Sequence, residues 1–389
     1  MRAVFGRRQI LLGSVLVLVV SLAALYVAPR PEIPRQNLPE GLSDSEFWTL
    51  IHEFSEPGGT FRSENLVSNE STFQHVIPSL KRQIKPGGVY LGVGPDQNFT
   101  YIAALAPKLA FILDIRRQNM LLHLMYKALF EISNNRVEFL SKLFARPAPE
   151  GLSIAITPED LFSAFDESAS DPEIARETLD AVLRQLLEQH KFNLTQDDLN
   201  KIEHVYSAFV AAGPEIRYSS QNQYSWRRFP SYSELMLETD GALGHGENHS
   251  YMASEQNFQA IKRLESENRI VPIVGNFAGV KALRAISQYV RGHNSTVSTF
   301  YTSNVEFYLF QTEDWKRFFD TVAELPVNND SVFIRSYFNN YPSQFSGPPA
   351  WLNSPPQSYT LLDSIPVFVA AFFGGQIRNY SDVIRRSRP

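Results

Sequence analysis

Downstream of residue 43 the apolar positions keep two rhythms that alternate along the chain: short continuous runs, and stripes repeating every three to four residues. "VYLGVG" (Val89 to Gly94) and "LAFILDI" (Leu109 to Ile115) are runs of the first kind. The Lys85-Pro86-Gly87-Gly88 turn launches the first, and between them lies a helical stretch from Gln97 to Leu105 that Pro107 ends. A helix over Gln118 to Ser133 puts Leu121, Leu124, Met125, Ala128 and Ile132 inward, so Asn119, His123, Lys127 and Glu131 share the opposite, solvated face. The alternation resumes with "RIVPIVGNF", a helix whose stripe is Val280, Leu283, Ile286 and Val290, and the strand "TVSTFYTSNV". A helix capped by Thr312 follows, running through Trp315, Phe318, Phe319 and Val322, and then the strand "SVFIRSYF". Strand then helix, repeated, predicts an α/β fold: a doubly wound, mostly parallel, Rossmann-like sheet covered on both faces.

A helical insertion at about residues 150–250 interrupts this order. Thr157-Pro158 and Asp171-Pro172 are cap and first-turn signals, and Leu179, Val182, Leu183, Leu186 and Leu187 form a helical stripe. Thr195 with Asp198 starts a further helix burying Leu199, Ile202, Val205, Tyr206 and Phe209. The aromatic, glycine-punctuated segment from Tyr218 to Tyr251 reads as long loops over the surface of the core. The folded body begins at residue 43, where Ser43 and Glu46 form a capping box ahead of Phe47, Leu50, Ile51 and Phe54. It runs to residue 389, through a Pro-rich loop (Tyr341 to Pro356) and a last apolar segment from Ile365 to Phe373. No repeat of solenoid length is present.

The amino terminus changes the picture. Arg2, Arg7 and Arg8 precede Ile10 to Ala28, an uncharged apolar run of 19 residues that is long enough to cross a bilayer as one helix. The expected organisation is a cytoplasmic tail (1–9), a transmembrane anchor or signal segment (10–28), a Pro-rich linker (29–42) and the body. Ser21-Leu22-Ala23 is a mediocre cleavage site, which favours an uncleaved anchor, and the basic flank sends the body across the membrane. The expected address is the bacterial inner membrane, single-pass, with the body periplasmic. Seven Asn-x-Ser/Thr sequons occur, but the one at Asn98 lies in the glycine turn described next, and cysteine is absent, so a bacterial envelope protein is more economical than a glycoprotein. A net charge of -5 with no basic block in the body argues against nucleic-acid binding, and the lack of cysteine removes disulfides, thiolate metal sites and cysteine nucleophiles.

The candidate chemistry sits on the first two strands. In an open parallel sheet, ligands bind beyond the carboxyl ends of the strands, where a glycine turn lets backbone N–H groups and a helix start approach them. Gly92 and Gly94 occupy that turn, and Asp114 ends the next strand 20 residues after Gly94, the spacing of a carboxylate that accepts from ribose hydroxyls. Gln97 replaces the third glycine of the dinucleotide fingerprint, which argues against a NAD-type ligand. With "YLGVG" as a first motif and "FILDI" as an acidic second motif, residues 89–133 and 270–338 resemble class I S-adenosylmethionine-dependent methyltransferases. That resemblance implies S-adenosylmethionine as cofactor, methionine-moiety contacts near Gly92 and Gly94, and ribose contacts at Asp114. The family's acidic residue two positions before the first glycine is Tyr90 here. The chain also resembles a set of bacterial proteins sharing "VGPDQN", "DIRRQN" and "GNFAG" segments.

Further candidates follow from their place at strand ends. Asn276 closes one strand, and Ser303, Asn304 and Glu306 close the next, so three termini converge on one cleft or else merely cap turns. Asp96, Gln97 and Asn98 either face the ligand or cap the first helix; Arg116 and Arg117 are ligand-binding candidates or, more simply, surface charges at a helix start. His245 and His249 are four residues apart but lack a flanking helix, so no metal is expected, and Trp226, Arg227 and Arg228 serve as a clamp or as loop packing. Two readings remain open: a membrane-anchored methyltransferase acting on an unidentified acceptor, or a noncatalytic envelope binding or scaffold protein on the same fold. The first would place the body on the cytoplasmic face, where S-adenosylmethionine is made.

Overall fold

The computed structural model describes residues 37–149, 151–166, 168–219, 228–241, 244–338 and 358–388. The expectations for the tail, the apolar run and the first part of the linker lie outside those residues, as do Trp226, Arg227 and the Pro-rich loop 341–356. Among the described residues no helix is long and apolar enough to cross a membrane.

The body opens with α1 (Asp44–Phe54), whose capping box between Ser43 and Glu46 is formed as expected, and α2 (Ile77–Gln83). The first half of the sheet follows: β1 (Val89–Gly92), α3 (Gln97–Leu105), β2 (Leu109–Asp114) and α4 (Arg117–Glu131). A helical excursion comes next: α5 (Arg136–Phe144), α6 (Pro158–Asp166), α7 (Pro172–Arg184) with a π-turn over Gln185–Gln189, α8 (Gln196–Ala212), α9 (Tyr232–Leu237) and α10 (Glu255–Ser266). The chain then returns to the sheet through β3 (Ile270–Val274), α11 (Ala282–Gly292), β4 (Val297–Ser303), α12 (Val305–Gln311), α13 (Trp315–Ala323) and β5 (Val332–Phe338). It ends in β6 (Ser358–Ser364), α14 (Ile365–Phe373) and α15 (Tyr380–Arg386).

Among the described residues six strands form one sheet in the order β3-β2-β1-β4-β5-β6, parallel except for β6, which pairs antiparallel with β5. This is an α/β fold with a mostly parallel sheet. Successive side chains of a strand point to opposite faces, so β1, β2, β3 and β5, buried at every residue, must be covered on both faces. The chain runs outward from β1 to β2 and β3, then crosses to β4 on the other side. The switch point between β1 and β4 opens a crevice at the carboxyl rim.

Several expectations change. The face of α4 assigned to solvent is interior: Asn119, His123 and Lys127 are buried, because α8 and α10 pack over it. Lys127 there bonds Glu131 (2.8 Å), whose carboxylate also meets His190 (2.7 Å), so the polar stripe becomes an internal charge network. Val280 is 69% exposed and precedes α11; Glu56 Oε1 instead caps that helix, accepting from the backbone N–H groups of Lys281 (2.7 Å) and Ala282 (2.9 Å). The N-cap of α13 is Asp314, with Thr312 donating to its carboxylate (2.9 Å), and α2, α5, α10, α12, β6 and α15 are additional elements. The described parts of the segment read as surface loops are largely internal. Tyr232, Leu235, Met236 and Tyr251 are buried there, and α9 begins with its own Ser231–Glu234 capping box.

Candidate functional site

At the carboxyl rim, beyond β1 and β4, lies a cavity of about 370 Å³. That is within the size range of small-molecule sites. Gly94, Gln97, Asp114, Arg116, Asn276, Ser303 and Asn304 line it, so the three strand termini do converge. Gly92, Asp96 and Asn98 do not line it, and each has another task.

The glycine turn explains the difference. A Cβ on Gly92 would lie 2.0 Å from Asn98 Oδ1, so this glycine exists to let the Asn98 side chain approach the strand. Asn98 is buried and laces the turn together: its Oδ1 accepts from the Tyr90 hydroxyl (2.8 Å), and its Nδ2 donates to the carbonyls of Val93 (2.9 Å) and Pro95 (2.7 Å). A glycan there is incompatible with this fold. Gly94 is the residue that needs its freedom of backbone, at φ +79°, and it faces the cavity. Asp96 makes no capping bond to α3. It points inward, its Oδ2 accepting from the Tyr251 hydroxyl (2.9 Å) while its Oδ1 has no partner among the described residues, and burial pushes its pKa up to about 7.

Asp114 stands in the cavity wall but is already engaged. Its Oδ1 accepts from the backbone N–H (2.9 Å) and Nε (3.0 Å) of Arg116, and its Oδ2 accepts from Arg116 Nη2 (2.8 Å). Arg116 is therefore a buried partner of Asp114 rather than a surface charge; its Nη1 donates onward to the carbonyls of Ser63 (3.2 Å) and Glu64. With two donors on Oδ1 and one on Oδ2, a single acceptor position remains open on the carboxylate. Arg117 pairs with the buried Asp198 of the insertion (2.6 Å), which ties α8 to the rim. Glu306 leaves the cleft altogether and pairs with the buried Arg335 (2.7 Å) beneath it.

The largest omission from sequence reasoning is the chain before the sheet. Residues between α1 and α2 run across the strand ends, fixed by Glu56 N–H to the Val274 carbonyl (2.8 Å) and Gly59 N–H to the Ile115 carbonyl (2.7 Å). They close the cavity with Thr60, Phe61, Asn65, Ser68, Asn69 and Glu70. Glu70 is buried in the cavity wall; Gln97 Nε2 (3.0 Å), the Tyr301 hydroxyl (2.9 Å), Ser303 and Ser336 all donate to its carboxylate. Burial raises its pKa, and the donors from Ser303, Ser336, Tyr301 and Gln97 oppose that rise. No periodic signal marks this stretch; the one available hint was a charged residue in an otherwise uncharged run, "LVSNESTF".

A family model described as Domain of unknown function (DUF7790) matches residues 65–350, nearly three quarters of the chain. The chain belongs to this family. The matched stretch takes in Glu70, the glycine turn, Asp114 and the ends of β3 and β4, and so nearly all of the cavity wall. No curated protein matches the chain.

The insertion supplies one further group. Asp240, Glu247 and His249 bring ligand-type atoms within 4.8 Å of one another. The Asp240 and His249 side chains are already engaged: Asp240 Oδ2 contacts His249 Nε2 (3.0 Å), Asp240 Oδ1 accepts from the backbone N–H groups of Gly246 (2.7 Å) and Glu247 (2.9 Å), and Lys81 Nζ approaches His249 Nδ1 (3.4 Å). An ammonium beside the imidazole disfavours a second cation, and His245 takes no part in the group.

Proposed function

We propose that the cavity binds a nucleoside-type ligand and that the protein is a methyltransferase-like domain using S-adenosylmethionine on an unidentified acceptor, held at the membrane by the apolar run 10–28. The observation that carries this reading is the joint placement of Gly94 and Asp114 in one cavity, at the switch point of a parallel sheet. The antiparallel β6 departs from the all-parallel dinucleotide order, in keeping with the missing third glycine.

The residues present fit such a ligand. Gly94 leaves its side of the cavity free of a Cβ, and Asp114 keeps one open acceptor position for a ribose hydroxyl. Gln97 is buried and its Oε1 has no partner among the described residues, which makes it a ready acceptor for a ligand N–H or O–H. S-adenosylmethionine would bring the activated methyl group; the chain's own part is to bind it, exclude water and hold an acceptor in line, for which no dedicated catalytic dyad is required. Titration calorimetry of the folded protein with S-adenosylmethionine tests this. Binding below about 1 mM is expected, and its absence at that concentration rejects the enzyme reading.

One observation favours a second reading, a noncatalytic envelope binding or scaffold protein. Asp114 is bidentate to Arg116, and Tyr90, buried against Asn98, stands where class I S-adenosylmethionine-dependent methyltransferases usually have an acid. Both groups hold the rim together without any ligand.

A further inference from the structure

Glu70 stands apart from the other polar groups of the cavity wall. Its four hydrogen-bond donors are all neutral, and among the described residues no lysine, arginine or histidine forms an ion pair with it. Its Oε2 receives Gln97, Tyr301 and Ser336, whereas Oε1 receives Ser303 alone, so Oε1 keeps an acceptor position. A buried carboxylate without a cation is costly to keep charged: burial raises the Glu70 pKa, and a cation brought against it is what favours the ionised form.

The backbone around it is also held in an unfavourable form. Asn65, Thr72 and Ser303 all have left-handed φ values, of +56°, +66° and +52°, although none is glycine and Thr72 is β-branched. Two of these flank Glu70 in sequence, and the third carries its Oε1 donor. Strain of this kind persists where the surroundings over-determine it, and it collects at ligand clamps.

We infer that Glu70 is the cation anchor of this cavity: the ligand carries a positively charged group, an ammonium or sulfonium, that sits against the Glu70 carboxylate and supplies the charge its neutral donors lack. The inference rests on the nucleoside reading above and narrows it to cationic nucleosides.

Three probes decide it, titrated by calorimetry into the purified full-length protein. S-adenosylmethionine carries both a sulfonium and an ammonium, S-adenosylhomocysteine carries only the ammonium, and methylthioadenosine carries neither. The wild type is expected to bind at least one charged probe roughly tenfold or more tighter than methylthioadenosine, the size of one charge-assisted hydrogen bond. Glu70→Gln should shrink that preference to within about twofold while leaving methylthioadenosine affinity in place. Equal affinity of all three probes for the wild type overturns the inference while leaving the nucleoside reading intact, and this arm needs no variant to fold. An undiminished preference in a folded Glu70→Gln protein also overturns it. Failure of all three to bind removes the nucleoside reading, and the inference with it.

Discussion

Replacing Asp96 by asparagine isolates the electrostatics of the interior behind the glycine turn. Asp96 is 1% exposed, holds one hydrogen bond, from the Tyr251 hydroxyl, and leaves Oδ1 without a partner among the described residues. Burial lifts its pKa from 3.8 to about 7. The folded protein therefore keeps this proton over a range in which the unfolded chain has lost it. Such a group adds stability below pH 3.8 and gives it up as pH rises toward 7, at about 1.4 kcal/mol per pH unit. Across the roughly three units between the two values the loss sums to about 4 kcal/mol. Asparagine keeps an acceptor for Tyr251 and cannot ionise. Urea unfolding of both proteins at intervals from pH 4 to pH 8 should show Asp96→Asn gaining on the wild type steadily up to pH 7 and then levelling. Parallel stability profiles would mean that Asp96 is ionised in the folded state, and the burial argument would be refuted.

Asp114→Ala strands the buried Arg116 guanidinium and should lower stability by about 3 to 5 kcal/mol, whereas Asp114→Ala with Arg116→Met should recover much of that loss in the same denaturant titration. Alongside, Asp114→Ala should weaken nucleoside binding by roughly 1.5 to 3 kcal/mol; unchanged affinity in the folded variant would take Asp114 out of the site. His123, lowered to about 4 by burial, contributes stability that is complete above pH 6.5 and is lost as pH falls through 4, so its ring resonances should stay those of a neutral imidazole down to pH 5. A midpoint near 6.5 by NMR would contradict its buried position. Gly92→Ala forces a Cβ into Asn98 and should cost about 1 to 3 kcal/mol, read as a lower melting temperature, with the Tyr90 to Asn98 bond lost.

Local signals in the chain are strong where one residue type answers one local demand. The capping boxes at Ser43 and Thr195, the Asp171 cap, the bounds of α3 and the strands β1 to β5 were legible because caps, turns and buried runs are decided within a few neighbouring residues. The rim location of Gly94, Asp114, Asn276 and Ser303 was legible for a related reason: in a parallel sheet the carboxyl ends of all strands lie on one side.

What faced what was not legible. The polar stripe Asn119-His123-Lys127 reads as solvated on an isolated helix, and only the docking of α8 and α10 turns it inward, where partners distant in sequence satisfy or strain it. Asp114 looked free for a ribose because its neighbour's side chain direction is not set by spacing; folding closed Arg116 back onto it. Glu70 had no rhythm to announce it, since its meaning lies in Gln97, Tyr301, Ser303 and Ser336, brought to it from three other elements. The sequence by itself thus determined five of the six described strands, most of the helices between them and their common rim, which depend on near neighbours and on chain direction. The tertiary structure alone decided which charges are buried and paired, because burial and pairing are properties of surfaces that meet only after the chain has folded.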